Sequence, residues 1–109
     1  MDIKEIEENI AIAARLLKSL SNEKRLLIVC TLFKDERSVG ELEQVVGLSQ
    51  SALSQHLARL RRDKVVITRR DAQTIYYSLH DEAANKVLEC LYNIYCSELC
   101  DENEQMIKN

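Results

Sequence analysis

The sequence contains no proline and only two glycines among its 109 residues. These two residue types most often interrupt helices or occupy turns with unusual backbone angles. Their scarcity excludes a disordered chain rich in Pro and Gly and favours a mostly helical protein with short connections. We predict a single domain over residues 1–100, large enough for a modest core, and a polar, frayed tail over residues 101–109.

Long apolar runs are also missing, and the first ten residues, MDIKEIEENI, are acidic. A membrane-spanning helix needs about 20 apolar residues, and a secretory leader begins with a basic segment. We therefore expect neither feature, and we expect a cytoplasmic protein. In a reducing compartment, the four cysteines are expected to be free thiols, metal ligands or a redox sensor rather than structural disulfides.

Arrangements typical of catalysis are missing as well. The sequence shows no acid–base pair, no nucleophile with its activating base and no glycine-rich phosphate loop. His56 flanks the apolar stripe of a predicted helix, where a packed or hydrogen-bonded histidine is more usual than a ligand. We predict that the chain is not an enzyme and uses no cofactor.

The net charge is −3, but the charges are unevenly distributed. Residues 59–71 contain six basic and two acidic side chains, whereas residues 1–9 and 98–109 each contain four acidic side chains and one basic. A basic patch between acidic ends is typical of a small DNA-binding domain, although a solvated surface cluster gives the same pattern.

Two helices are predicted in the first third of the chain. The first carries a narrow apolar seam, which suits packing against another helix, including one from a second subunit. The seam comprises Ile3, Ile6, Ile10, Ala13, Leu17 and Leu20. The second helix is predicted from about Glu23 to Lys34. Its inner face comprises Leu26, Val29, Cys30 and Phe33, so Cys30 is expected to point toward the core.

The next two helices form a predicted helix-turn-helix. Ser38 and Glu41 have the spacing of a capping box, and Gly47 is placed to end the helix that follows. Ser49 is the next N-cap, and the fourth helix is predicted over Gln50–Arg62. Two short helices joined by a tight turn that contains glycine are typical of DNA-binding proteins.

A β-hairpin and a fifth helix complete the predicted fold. The segments VVITRR and TIYYSL are rich in β-branched or aromatic residues, and Asp71-Ala72-Gln73 separates them. The last helix is predicted from about Asp81 to Cys100. Its broad inner face comprises Ala84, Val87, Leu88, Leu91, Ile94, Tyr95 and Leu99. The predicted fold is therefore mainly α with one small hairpin, a winged helix-turn-helix.

The fourth helix and the hairpin supply the candidate DNA contacts. The N-terminal part of such a helix faces base edges in the major groove, where Gln and Ser can bond bases. The candidates there are Gln50, Ser51, Ser54 and Gln55. Arginine supplies phosphate contacts, which give affinity rather than sequence preference. The candidates are Arg59, Arg62, Arg69 and Arg70, with Arg61 and Lys64 beside them.

The stretch SVGELEQVVGLSQSALSQHLARLRRD, followed by TRRDAQTIYYSL, resembles the ArsR/SmtB family of small winged-helix repressors. The resemblance covers nearly the whole chain and is strongest to the sulfide- and persulfide-responsive group. It implies a homodimer built by the first and last helices and a palindromic operator in double-stranded DNA. Lys64 departs from the family pattern, which usually has glycine there, and is expected to carry a small conformational cost.

Three interpretations of the cysteines follow. Buried cysteine often acts as a small apolar residue. A thiolate site of Cys30, Cys96 and Cys100 would suit Zn(II), Cd(II) or As(III). The third interpretation is implied by the resemblance: Cys30 and Cys96 match the reactive pair of the persulfide-sensing group, which responds to reactive sulfur species. Lys34, one turn after Cys30, would lower a thiol pKa if it reached it. Cys90 lies outside this pattern.

Overall fold

The computed structural model describes residues 1–96, so the predicted tail and Cys100 lie outside the described residues. The helices are α1 (Ile3–Leu20), α2 (Glu23–Thr31), α3 (Val39–Val46), α4 (Gln50–Arg62) and α5 (Glu82–Tyr95). The strands are β1 (Arg37–Ser38), β2 (Val66–Asp71) and β3 (Thr74–Leu79). The predicted mainly helical fold with a hairpin before the last helix is confirmed. None of the helices within residues 1–96 is long and apolar enough to cross a membrane.

The helix-turn-helix is held by the predicted local signals. The Ser38 side chain accepts from the Glu41 N–H at 3.2 Å, and the Glu41 carboxylate accepts from the Ser38 N–H at 3.1 Å. Gly47 ends α3 with φ 69°, a left-handed conformation that glycine adopts without steric cost. Ser49 caps α4 by accepting from the Ala52 N–H at 3.2 Å. These caps fix where each helix begins and so aim α4 relative to the core.

The hairpin belongs to a three-stranded antiparallel sheet in the order β1–β3–β2. Strand β1 was not predicted, because two residues are too few to show an alternating pattern. It pairs Arg37 with Tyr77 and Ser38 with Tyr76. The wing is therefore attached to the segment between α2 and α3 as well as to α4.

One hydrophobic core lies beneath α2, α3 and α4. Its fully or nearly fully buried members are Leu20, Ile28, Val29, Leu32, Leu42, Val46, Leu53, Leu57, Leu60, Val65, Val66, Ala84 and Leu88. The apolar stripe of α4 packs on α2, which places the opposite, polar face of α4 in solvent.

Two predictions about α2 are wrong. The helix ends at Thr31 rather than Lys34, and Lys34 has a left-handed backbone with φ 65°. Cys30 is exposed rather than directed into the core. The buried face of α2 is centred on Ile28 and Val29, and one further step of about 100° around the helix turns Cys30 away from them.

The outer faces of α1 and α5 remain apolar and exposed within one chain. Ile3 is 68% exposed and Ile10 is 57% exposed, although both belong to the predicted seam. On α5, Ala84 and Leu88 are buried as predicted, but Ile94 is 50% exposed and Tyr95 is 61% exposed, so the assignment of these two to the inner face is wrong for the single chain. Exposed apolar surface of this extent is typical of a protein interaction site.

Candidate nucleic-acid interface and thiol groove

The polar face of α4 is open to solvent over its first two turns. The side chains that line it, all predicted DNA contacts, are Gln50, Ser51, Ser54 and Gln55, and each is exposed. Hydroxyl and amide groups at this end of the helix are able to bond base edges without any change in the core.

The two arginines predicted at the end of α4 share one acidic partner, Asp63. Arg59 Nε lies 3.7 Å from Asp63 Oδ2, and Arg62 Nε lies 3.6 Å from Asp63 Oδ1. Arg59 is half-buried and its enclosed Nε has no hydrogen-bond partner in the described structure, whereas 72% of the Arg62 side chain is exposed. Arg62 is therefore better placed than Arg59 for a phosphate.

The two wing arginines have different surroundings. Arg69 donates to Glu36 through Nε at 3.0 Å and through a terminal nitrogen at 2.6 Å, and its guanidinium lies 4.5 Å from the ring centre of Tyr76. The hydrogen bond from Arg69 lowers the pKa of Glu36. Arg70 is exposed, with Nε 3.3 Å from the Ala72 carbonyl oxygen. Arg69 already has an anionic partner in Glu36, whereas the contact of Arg70 is with a neutral carbonyl, so Arg70 is more available to a phosphate.

A shallow polar groove of about 500 Å³ separates α4 from the wing. It is lined by Ser54, Ala58, Arg61, Arg62 and Tyr77. The groove brings Ser54 and Arg62, two predicted contacts, together with Arg61, and their hydroxyl and guanidinium groups are hydrogen-bond donors of the kind that contact phosphate oxygens. Tyr77 was missed, because an aromatic residue in a strand predicts cross-strand packing rather than a site.

Cys30 of α2 and Cys96, the C-cap of α5, line one groove of about 400 Å³. The rest of the lining is hydrocarbon and aromatic: Leu26, Phe33, Leu88, Leu91, Tyr92 and Tyr95. The fold therefore brings together two thiols that are distant in sequence. Leu26 and Phe33 flank Cys30 at helical spacing, which is the signal that would have identified them as groove residues.

The electrostatics of the groove disfavour an ionised thiol. Cys30 is exposed as a residue, but partial desolvation of its sulfur where it lines the groove raises its pKa, and the charge of Cys96 raises it further. Both thiols line the same groove, which accounts for the effect of one on the other. Lys34 was expected to lower this pKa if it reached, but its ammonium lies 5.2 Å from the Phe33 ring centre and does not contribute.

Cys100, the third residue of the alternative thiolate site, lies outside the described residues, and neither Cys90 nor His56 lines this groove. Cys90 is exposed. Within residues 1–96, no three or more His, Cys, Asp or Glu side chains are grouped so that they could hold a metal. His56 is half-buried on α4, where burial and the nearby Arg25 lower its pKa, consistent with a packed histidine.

Arg25, which sequence reasoning missed, connects α2 to the end of α1. It is 8% exposed, and Nε donates to the Ser19 carbonyl at 2.7 Å while a terminal nitrogen lies 3.3 Å from the Lys18 carbonyl. It thereby satisfies carbonyls at the end of α1 from within α2. Burial and the positive charge of Arg59 on α4 lower its pKa, and Asp63 acts in the opposite direction. A basic residue on an otherwise apolar helix face was the available signal.

Comparison with known proteins agrees with this architecture. The family model described as "Bacterial regulatory protein, arsR family" matches residues 22–68. The transcriptional activator HlyU of Vibrio cholerae is 51% identical over 96 residues, which are 88% of this chain and 89% of that protein. The nodulation protein NolR of Rhizobium meliloti is 55% identical over 91 residues, 84% of this chain and 75% of that protein.

Solved structures give the same result. The structure of reduced HlyU from Vibrio cholerae superposes with a TM-score of 0.82 at 51% identity, covering 86% of this chain and 99% of that chain. The transcriptional repressor BigR from Xylella fastidiosa superposes with a TM-score of 0.82 at 43% identity, covering 90% of this chain and 100% of that chain. These relatives are transcriptional regulators rather than enzymes, and ArsR-family regulators bind DNA and are dimeric. The chain belongs to the ArsR family of bacterial transcriptional regulators, with the winged-helix fold of that family.

Proposed function

We propose that this regulator is a dithiol-switched repressor. The reduced protein binds operator DNA and releases it when sulfane sulfur or another oxidant links Cys30 to Cys96. The observation that carries the proposal is the shared groove, to which α2 and α5 contribute one thiol each. Among its relatives, BigR is named a repressor, HlyU is named an activator, and HlyU has been solved in a reduced form.

The chemistry needs only the two thiols and an external sulfur donor. The Cys30 thiolate attacks the terminal sulfur of a hydropolysulfide, which leaves one sulfur shorter, and Cys30 becomes a persulfide. The Cys96 thiolate then attacks the Cys30 sulfur and expels hydrosulfide, which leaves a disulfide. The pair loses two electrons, and the donor carries them away as two reduced sulfur anions.

A dimer through α1 and α5 is the second part of the proposal. The apolar residues exposed on these two helices include Ile3, Ile10, Ile12, Leu17 and Tyr95. Two copies that cover these faces would present two α4 helices to one side of a duplex. Recognition helices in such dimers reach half-sites one helical turn apart, about 34 Å, so the operator is expected to be palindromic.

The switch then acts through the distance between the two α4 helices. A covalent tie between α2 and α5 changes how the DNA-binding unit packs against the dimer helix. Both half-sites lose contacts together when the spacing is wrong, so a small shift has a large effect on affinity. Couplings of this kind are usually 5- to 150-fold, and we expect at least a tenfold loss of operator affinity.

The experiment is fluorescence anisotropy with an operator selected from random duplex DNA by the reduced protein. Binding is measured for the reduced protein and after treatment with inorganic polysulfide, hydrogen peroxide or Zn(II), Cd(II) and As(III). Intact mass and peptide mapping are recorded in parallel. The expected result is tenfold or greater release by polysulfide, with the added linkage mapped to Cys30 and Cys96.

Three single substitutions complete the design. Cys30→Ser and Cys96→Ser proteins are expected to bind the operator with an affinity that polysulfide treatment does not change. Cys90→Ser is the matched control, because Cys90 is exposed on the same helix as the groove wall but does not line the groove. Release by thiophilic metals together with indifference to polysulfide would overturn the switch and favour the thiolate site that includes Cys100.

A further inference from the structure

The groove that holds the two thiols has an unusual lining for a site that meets sulfur anions. Its six other wall residues are two tyrosines, one phenylalanine and three leucines, and no charged side chain lines it within residues 1–96. The polar groups available there are the two phenol hydroxyls and the thiols. A groove of about 400 Å³ lies at the small end of the range of ligand sites, which suits a small molecule.

We propose that this groove selects uncharged, apolar sulfane-sulfur carriers, with dialkyl trisulfides as the chemical class, over anionic carriers of similar size. The inference rests on the proposed thiol switch and specifies which donor reaches it. An anion that enters the groove loses hydration and finds no cation in the described lining, and this loss is unfavourable. Two short alkyl chains instead remove apolar surface from water against Leu26, Phe33 and Leu91.

The state of Cys30 agrees with this preference. Burial raises its pKa, so the same surroundings that disfavour its own thiolate disfavour any second anion beside it. Lys34 is the basic residue that lies against a groove wall, at 5.2 Å from the Phe33 ring centre, but it is not part of the lining and does not offset the effect on Cys30.

The reaction balances with a trisulfide as the oxidant. The Cys30 thiolate attacks one outer sulfur of R–S–S–S–R, forming Cys30–S–S–R and breaking the bond to the R–S–S⁻ leaving group. The Cys96 thiolate then attacks the Cys30 sulfur, forming the Cys30–Cys96 disulfide and releasing R–S⁻. Two thiols are oxidised by two electrons, the trisulfide is reduced to one thiol and one hydropersulfide, and the two thiol protons end on these products.

The test compares diisobutyl trisulfide with bis(carboxymethyl) trisulfide, which has the same sulfur chain, the same branching and number of heavy atoms, and two negative charges. Full-length protein with Cys100→Ser is used, so that Cys100 cannot bridge to Cys30, and peptide mapping identifies the partner of Cys30. The rates of thiol loss at Cys30 and at Cys90 are followed by alkylation and peptide mass spectrometry. Cys90 is the internal reference, because it is exposed on α5 and outside the lining.

The ratio of neutral to anionic rates is expected to be at least tenfold higher at Cys30 than at Cys90. Leu26→Lys adds a cation to the wall from α2, away from the two helices proposed to form the dimer, and it is expected to reduce that preference at least fivefold. Leu26→Met is the matched control and should preserve the preference, and thermal unfolding verifies that both variants fold.

The outcomes separate this inference from the thiol switch. Equal ratios at Cys30 and Cys90 would overturn the carrier preference, while bridging by either trisulfide would leave the switch intact. Bridging by inorganic polysulfide alone would also overturn the preference and retain the switch. A strong neutral preference without any loss of operator binding would support the groove selectivity and refute the switch. No bridge with any of the three donors would refute both.

Discussion

Replacing Lys64 by glycine tests the conformational cost expected at the turn between α4 and the wing. Lys64 has φ 60°, in the left-handed region. Its N–H donates to the Arg61 carbonyl at 3.0 Å, and the Val65 N–H donates to the Leu60 carbonyl at 2.9 Å. These two bonds define a Schellman motif with Lys64 at the position where glycine is usual, and Leu60 and Val65 are both buried beside it.

The magnitude follows from two opposing terms. A left-handed conformation costs an ordinary L-residue about 1–2 kcal/mol, and glycine avoids this cost. Glycine gives up about 0.5–1 kcal/mol relative to alanine through the entropy of the unfolded chain. The net expected gain is about 0.5–1 kcal/mol, which corresponds to a rise in Tm of about 2–8 °C for a domain of this size. Lys64 is exposed, so no packing is lost.

The assay is urea unfolding at a fixed protein concentration, with Lys64→Ala as the matched control. Both variants lose the same positive charge, but the alanine variant keeps the strained backbone. We expect the order of stability Gly above Ala, with the parent near Ala. A glycine variant no more stable than the alanine variant would refute the reasoning that φ at this position carries a cost. A difference in DNA affinity between the two variants would report the geometry of the turn.

Three further predictions address the thiols, the wing and the recognition helix. Since burial raises the pKa of Cys30, its alkylation rate by neutral iodoacetamide should increase about tenfold per pH unit at neutral pH and keep rising above the ordinary thiol value of 9.0; a plateau below pH 9 would contradict this. Glu36→Gln frees Arg69, so the slope of log affinity against log salt should steepen by about 0.9 per protomer in anisotropy titrations, and an unchanged slope would show that Arg69 does not meet phosphate. Ser49→Ala should lower stability by about 1 kcal/mol in urea unfolding through loss of the α4 cap, whereas Ser51→Ala, on the exposed face of the same turn, should leave stability unchanged and weaken operator binding.

Local signals in the sequence predicted most of the fold, because capping and periodicity act over a few residues. The α4 bounds, the capping box at Ser38 and the left-handed turn at Gly47 all agree with the structure. Features that depend on tertiary contacts could not be predicted from these local signals. Strand β1 forms because it pairs with β3, and this pairing has no local sequence signal. The exposure of Cys30 depends on which helices pack against α2, and a helical wheel of α2 alone does not show this.

The same contrast between local signals and tertiary contacts applies to the residues of the candidate sites. Exposed polar residues on α4 follow from its apolar stripe alone, whereas the partners of the basic residues do not. Glu36 lies 33 positions from Arg69, and no periodicity relates them. The meeting of Cys30 with Cys96 likewise has no local signal and was implied by family resemblance. Cys30 and Cys96 line one groove in this structure, so the pairing that the resemblance implies is compatible with the fold of this chain.

The segment that leaves α2 gives the proposed switch a second route to DNA. Phe33 lines the thiol groove, and three residues later Glu36 holds Arg69 of the wing. Strand β1 follows at once and pairs with β3, so this short segment joins a groove wall to both wing strands. In the proposed switch, a movement of α2 against α5 therefore displaces the wing as well as the spacing of the two α4 helices. The candidate contacts of the wing and α4 lie on either side of one groove, so we expect the proposed switch to remove both from the same half-site, and we expect the single Cys30–Cys96 bond to be enough to release the operator.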